Sequence, residues 1–223
     1  MSALKYPRKL LDFWRTRPLL TIAAFNRHCH RRGQTAYRLN HPPENFMSNN
    51  PVLIISMGVS GSGKSTLAEL LAKEFGYTFL EADDFHSAEN KAHMASGKPL
   101  TDTMREPWIT EMCRVIKDKL SHGETCILAY SGLRKAHRQR FRELGYPVMY
   151  LHLIGVKKVI LERMYSRPNH YMPPGLLDSQ FDALEATDQE GDITQISLAQ
   201  PIAAIVAQAT SSISQFVEKN QSS

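Results

Sequence analysis

Between Gly58 and Ser65 the chain reads G-V-S-G-S-G-K-S, with glycine, lysine and hydroxyl residues at every fixed position of the phosphate-loop pattern G-x-x-x-x-G-K-[ST]. Gly58, Gly61 and Gly63 let backbone N–H groups approach phosphate oxygens without Cβ atoms in the way. Lys64 is long enough to reach β- and γ-phosphates, and the Ser65 hydroxyl suits a place on Mg²⁺. The chemistry this implies is binding of a nucleoside triphosphate. A second group follows at Glu81-Ala82-Asp83-Asp84-Phe85-His86. Its three carboxylates, a loop away from bound phosphates, could hold Mg²⁺ through water or accept a substrate proton, or could simply form an acidic, solvated turn. Further on come Arg105, at the start of a helix, and then Arg163 and Arg167 beside a polar loop. Arginines so placed can neutralise charge on a transferred phosphoryl group.

These residues need a frame, and the sequence supplies one. Val52–Met57 is an apolar run of strand length that ends at Gly58, and Ser65–Phe75 has helical periodicity, with Leu67, Leu70, Leu71 and Phe75 able to share a face. Strand, glycine loop and helix therefore stand in the order that anion binding at a helix N-terminus requires. Gly76 ends that helix and Tyr77–Leu80 is expected as a second strand, which puts the acidic group at its carboxyl end, where open parallel sheets bind ligands. Helices are expected over Ala88–Ser96 and Glu106–Leu120, the second with Pro107 in its first turn. Thr125–Ala129 and Val148–Leu153 read as buried strands, separated by a basic helix over Arg134–Leu144. Lys157–Tyr165 reads as a helix leading into the loop 167–175, whose Pro- and Gly-rich composition is that of a lid over phosphates. Leu176–Ala183, Asp192–Ser197 and Ile202–Val217 complete the alternation as helix, strand and amphipathic helix. The fold class expected is α/β, a parallel sheet of five strands with helices on both faces.

Bulk properties narrow the class. The chain has 223 residues, 42% hydrophobic and 22% charged, which suits one α/β domain with a small appendage. No apolar run approaches the ~20 residues needed to cross a bilayer. Cys29, Cys113 and Cys126 are scattered and form no C-x-x-C pair, which argues against a disulfide framework or zinc site and fits a reducing compartment such as the cytoplasm.

The net charge of +5 is unevenly spread: the first 46 residues hold nine Lys or Arg against Asp12 and Glu44, or +7, leaving −2 for the remainder. The basic balance thus belongs to the extension and not to the domain, so no nucleic-acid partner is expected for the domain. The extension (1–46) closes on His41-Pro42-Pro43 as a linker. It reads as a targeting peptide, a basic arm, or sequence upstream of a true start at Met47, the last being favoured. The kinase-like domain is placed at 47–223. The cluster His28-Cys29-His30 has no partner cluster at ligand spacing and is expected to be surface.

Three stretches together are narrower than a phosphate loop alone: MGVSGSGKST at 57–66, EADDFHSAENKAHMASGKPLTD at 81–102 with Arg105 and Pro107-Trp108, and HYMPPGLLDSQFDALE at 170–185. In them the chain resembles the bacterial-type gluconate kinases, from about Val52 to Val217. The resemblance implies ATP- and Mg²⁺-dependent phosphorylation of a sugar acid, D-gluconate to 6-phosphogluconate, in the cytoplasm, with a possible homodimer. By match of motif, Gly58, Val59, Ser60, Gly61, Ser62, Gly63, Lys64, Ser65 and Thr66 would cradle the nucleotide. Ser65 and Glu81 would take Mg²⁺, and Asp83 would act as base or orienter. His86, Arg105, Ser131 and Arg138 would face the acceptor, and Arg163 and Arg167 would be lid arginines. The family pattern A-C-S-A-L-K-R-x-Y-R is altered here to Ala129-Tyr130-Ser131-Gly132-Leu133-Arg134-Lys135-Ala136-His137-Arg138. Arg for Lys keeps charge and changes geometry, so another polyhydroxy acid is an alternative substrate. A shikimate-type kinase and a nucleotide-dependent regulatory protein are the other readings. The single Gly132 disfavours the first, and the presence of Asp83 and the arginines disfavours the second.

Overall fold

The computed structural model describes residues 50–165 and 174–221, except for the side chains of 163–165 and 174–176. The extension 1–46, Arg167 and most of the expected lid lie outside the described residues. Strands β1 (Leu53–Met57), β2 (Thr78–Glu81), β3 (Cys126–Ala129), β4 (Val148–Ile154) and β5 (Ile193–Ser197) form one sheet in the order β2-β3-β1-β4-β5. All pairings are parallel, with Leu53 opposite both Cys126 and Val148 and Met57 opposite His152. The expected five-stranded parallel α/β fold is therefore present.

The helices are α1 (Lys64–Phe75), α2 (Ala88–Ala95), α3 (Asp102–Ser121), α4 (Lys135–Arg142), α5 (Lys157–Tyr165), α6 (Pro174–Ala183) and α7 (Ile202–Gln221). β1 is apolar along its length because both its faces are covered. Ile54 joins Leu67 and Leu71 of α1 and Ile205, Ala209 and Ile213 of α7 in one buried layer. Leu53, Ile55 and Met57 point the other way, into a layer built with Trp108, Ile109, Met112 and Ile116 of α3 and Phe141 of α4. Each layer withdraws side chains worth roughly 1.5–3 kcal/mol apiece from water. Leu70, expected on the inner face of α1, is 39% exposed.

Two boundaries differ from the sequence reading in ways that matter. Thr101, not a residue nearer Pro107, caps α3: its Oγ1 accepts from Met104 N–H at 3.3 Å, and the helix starts at Asp102. Pro107 then lies inside the second turn, where it forgoes only the bond to the carbonyl of Thr103. As a result Asp102 and Arg105 share the first turn of α3, where they pair with each other. Likewise α6 begins at Pro174, so the last two residues of the expected lid loop are already helical.

Candidate active site

The phosphate loop leaves β1 at Gly58, where φ is +143° and a Cβ would sit 2.9 Å from the carbonyl oxygen of Leu153 and from Ser62 Oγ. Only glycine fits there, which is why the strand can turn so abruptly over its neighbour β4. Gly63, also at positive φ, caps α1 with no side-chain hydrogen bond, and no acidic residue stands in the first turn. That helix end, with its positive dipole, is arranged for an anion. Lys64 folds back so that its Nζ donates to the carbonyl of Val59 at 3.0 Å, lying over the loop it belongs to. Val59 and Ser62 are buried beneath the loop, whereas Ser65 and Thr66 are exposed on α1.

Beside it, β2 delivers Glu81. The Ser65 hydroxyl stands close enough to the Glu81 carboxylate to favour its charged form. Burial raises the pKa of Glu81, with a contribution from Asp83, while the Ser65 hydroxyl and the charge of Lys64 oppose the rise. Among the described residues no three His, Cys, Asp or Glu side chains cluster as a self-contained metal site. The donors that do meet, a hydroxyl and a carboxylate beside a phosphate cradle, are hard oxygens of the kind Mg²⁺ shares with phosphates and water.

Past Glu81 the chain makes a 3-10 turn, Ala82–Phe85, that lifts Asp83 into solvent and turns His86 inward. His86 stacks on Trp108, ring centroids 4.0 Å apart, and Trp108 is itself fixed by its Nε1–H donating to the carbonyl of Ala82 at 2.8 Å. His86 Nε2 stands 3.9 Å from Asp83 Oδ1, while Nδ1 is buried without a partner. Burial lowers the pKa of His86, only partly offset by Asp83, so the ring is neutral at physiological pH.

The acceptor-side wall continues on α3 and on the loop after β3. Asp102 Oδ1 accepts from Arg105 Nη1 at 2.7 Å and lies 3.3 Å from Arg134 Nε. Two guanidinium groups thus converge on a single carboxylate, with His137 in the same field. His137 is half-buried and its pKa is lowered, first by burial and then by Arg105. Its Nδ1 lies 3.4 Å from the Tyr130 hydroxyl. Tyr130 itself is 1% exposed, packed between Trp108 and Phe141, so it lies beneath the acceptor wall and not in it. Ser131 reaches the phosphate loop through its backbone, its carbonyl accepting from Gly58 N–H at 3.1 Å.

Arg138 was expected to face the acceptor, and the structure places it elsewhere. It is 0% exposed, its guanidinium paired with Glu190 and donating to the carbonyls of Gly132 at 2.7 Å and Leu133 at 3.1 Å. α4 is strongly amphipathic, and the position of Arg138 falls on its inner face beside Phe141. There the charge is tolerated because Glu190 and the carbonyls satisfy it. Arg142 of the same helix adds a second cation to Glu190 at 2.6 Å and pairs with Asp192 at 2.7 Å. Arg138 thus pins the acceptor loop from behind. Arg163 belongs to α5, but its side chain, like all of Arg167, is outside the described residues.

Across β1 from the acceptor wall, the ends of β4 and β5 frame a hollow of about 360 Å³ lined by Ile154, Gly155, Val156, Val159, Ser197 and Ala199. Its apolar lining has no motif in the sequence, since it is assembled from two strand ends some forty residues apart. Asp102 and Glu190 were likewise missed. The i, i+3 spacing of Asp102 and Arg105 is the one signal that could have found the first.

The family described as AAA domain matches residues 53–190. A probable gluconokinase of Xenopus tropicalis is 34% identical over 172 residues, covering 70% of this chain and 90% of that protein. The gluconokinase of Arabidopsis thaliana is 39% identical over 151 residues, covering 62% of this chain and 80% of that protein. The crystal structure of a gluconokinase from Sinorhizobium meliloti 1021 superposes with a TM-score of 0.68 at 36% identity, covering 76% of this chain and 95% of that one. With these matches and a phosphate loop at the end of β1, the chain belongs to the gluconokinase family of phosphate-loop kinases.

Proposed function

We propose that this chain transfers the γ-phosphoryl group of ATP to the C6 hydroxyl of D-gluconate, releasing ADP and 6-phosphogluconate. The observation that carries the reading is the placing of two complementary sites on one sheet edge. A phosphate cradle with Lys64 lies on one side, and Arg105 and Arg134, converging on a carboxylate, lie on the other. A sugar acid supplies the carboxylate for such a pair, and its far hydroxyl is then free to face the cradle.

Gly58 to Thr66 hold the triphosphate, with Lys64 turned from Val59 onto its β- and γ-oxygens. The hollow between β4 and β5 takes the adenine ring. Ser65 and Glu81 hold Mg²⁺, which when bound neutralises charge on the transferred group. The acceptor oxygen attacks the γ-phosphorus in line, the bond to the bridging oxygen of ADP breaks, and the hydroxyl proton passes to Asp83. His86, neutral on its Trp108 shelf, hydrogen-bonds the acceptor's hydroxyls. Arg163 and Arg167 complete the charge stabilisation. Residues 47–223 form the kinase domain, acting in the cytoplasm, and two copies associate.

An ADP-release assay with ATP·Mg²⁺ and a panel of D-gluconate, related sugar acids and shikimate tests this. Turnover with D-gluconate well above all others is expected. Preference for another acid would move the specificity to the Tyr130–His137 segment, and ATP binding without turnover on any acceptor would overturn the kinase reading.

A further inference from the structure

The helix that follows the expected lid is fastened at both ends of the reaction. From α6, Gln180 Oε1 accepts the backbone N–H of Ser60, inside the phosphate loop, at 2.6 Å. Five residues on, Glu185 N–H donates to the carbonyl of Leu133 at 2.9 Å, and the Glu185 carboxylate accepts from Lys135 N–H at the start of α4. The two anchor points are thus close in the chain, one in the last turn of α6 and the other two residues past its end at Ala183. Phe181 and Leu133 both pack against the same buried layer, and Leu177 is fully buried in it, so the span rests on a rigid base. Leu133 is the residue whose carbonyl Arg138 also holds.

We propose that Gln180 and Glu185 are positioning residues: together they form a gauge that sets the phosphate loop against the acceptor loop. The inference rests on the reading of the two sites given above. Its physical basis is that in-line transfer tolerates little error, a displacement of about 1 Å being able to cost on the order of 100-fold in rate. The phosphate loop has few side chains of its own with which to fix its mouth. A backbone N–H held by an amide 120 residues away in sequence does so directly. Neither Gln180 nor Glu185 needs to touch substrate for this. A defect in either is therefore expected to appear in turnover at saturating substrates and not in acceptor affinity.

The test is steady-state kinetics with ATP·Mg²⁺ and D-gluconate on Gln180→Met, Gln180→Glu, Glu185→Ala and the Gln180→Met/Glu185→Ala double variant, with melting temperatures alongside. Gln180→Met, of similar length but without an acceptor, should lower kcat about tenfold with KM for gluconate within twofold. Gln180→Glu keeps an acceptor for Ser60 N–H but adds charge beside the triphosphate. It should keep the melting temperature and a kcat within about threefold of wild type while raising KM for ATP, and a tenfold loss of kcat here would overturn the gauge even if Gln180→Met folds poorly. Glu185→Ala should repeat the kcat loss, and the double variant should be no slower than the worse single one, because either break releases the same span. A Gln180→Met enzyme within twofold of wild-type kcat, or single losses that multiply in the double variant, would overturn the gauge. Lys64→Ala is the control: if it too is fully active, the failure lies in the reading of the phosphate site itself.

Discussion

At the scale of single residues, two sets of charges exchange, in the proposed reaction, the partners they hold in this structure for substrate oxygens. Lys64 is held by the carbonyl of Val59, and the Arg105–Arg134 pair by Asp102. Each must exchange that partner for a phosphate or carboxylate oxygen. Lys64→Ala is therefore expected to cut kcat by at least 100-fold, since it removes charge stabilisation that grows in the transition state. Asp83→Asn should lower kcat by a similar order with KM for ATP within about threefold. Single-turnover and steady-state kinetics on the two variants check both, and an Asp83→Asn enzyme altered only in KM for ATP would remove Asp83 from its proposed role. Arg105→Lys keeps the charge but loses the planar fork. It should raise KM for gluconate about tenfold with KM for ATP unchanged, read from the same assays.

At the scale of elements, the loop after β3 is held from beneath by the buried Arg138. Arg138→Met leaves Glu190 buried with Arg142 alone and frees the carbonyls of Gly132 and Leu133. A loss of about 3–5 kcal/mol in urea unfolding is expected, as for other broken buried pairs. Strand β4 carries a pH dependence of its own. His152 is buried against Thr187, and burial pushes its pKa down to about 4. The unfolded chain, with an ordinary histidine pKa near ~6.5, then binds more protons than the folded one as pH falls. Stability from this group is full above ~pH 6.5 and declines toward pH 4, by about 2 kcal/mol at pH 5. Urea unfolding at pH 7.5 and pH 5 should show that fall, and His152→Asn should show less of it.

These elements explain what could be read beforehand. Val52–Met57 and the glycine loop were legible because an apolar run, three glycines and a lysine are each demanded by local geometry. Arg138 was misread because a lone arginine in a basic helix carries no mark of which face it occupies. Only the docking of Glu190, 52 residues away, decides that. The start of α3 was misplaced because Pro107 suits a first turn, yet the hydroxyl of Thr101 captured the cap earlier. Gln180 lies in the stretch 170–185 that carried the resemblance, but its role could not be read there, since its partner is a backbone N–H and leaves no side-chain signature.

At the scale of the whole molecule, one sheet divides the work in the proposed reading: the β2–β3 side would take the acceptor, β1 carries the phosphate loop, and the hollow beside β4 and β5 would take the base. No helix among the described residues is long and apolar enough to cross a membrane. Both buried layers lie within residues 52–217, so a chain of 47–223 is expected to keep wild-type kcat and melting temperature, as measured on the purified fragment. Association of two copies is read from its mass in solution. The central claim is phosphoryl transfer to a sugar acid, and ³¹P NMR of the wild-type protein with ATP·Mg²⁺ and D-gluconate tests it most directly. One equivalent of 6-phosphogluconate for each ADP formed is predicted. ADP formed together with inorganic phosphate and no phosphogluconate, or ATP left intact, would contradict it.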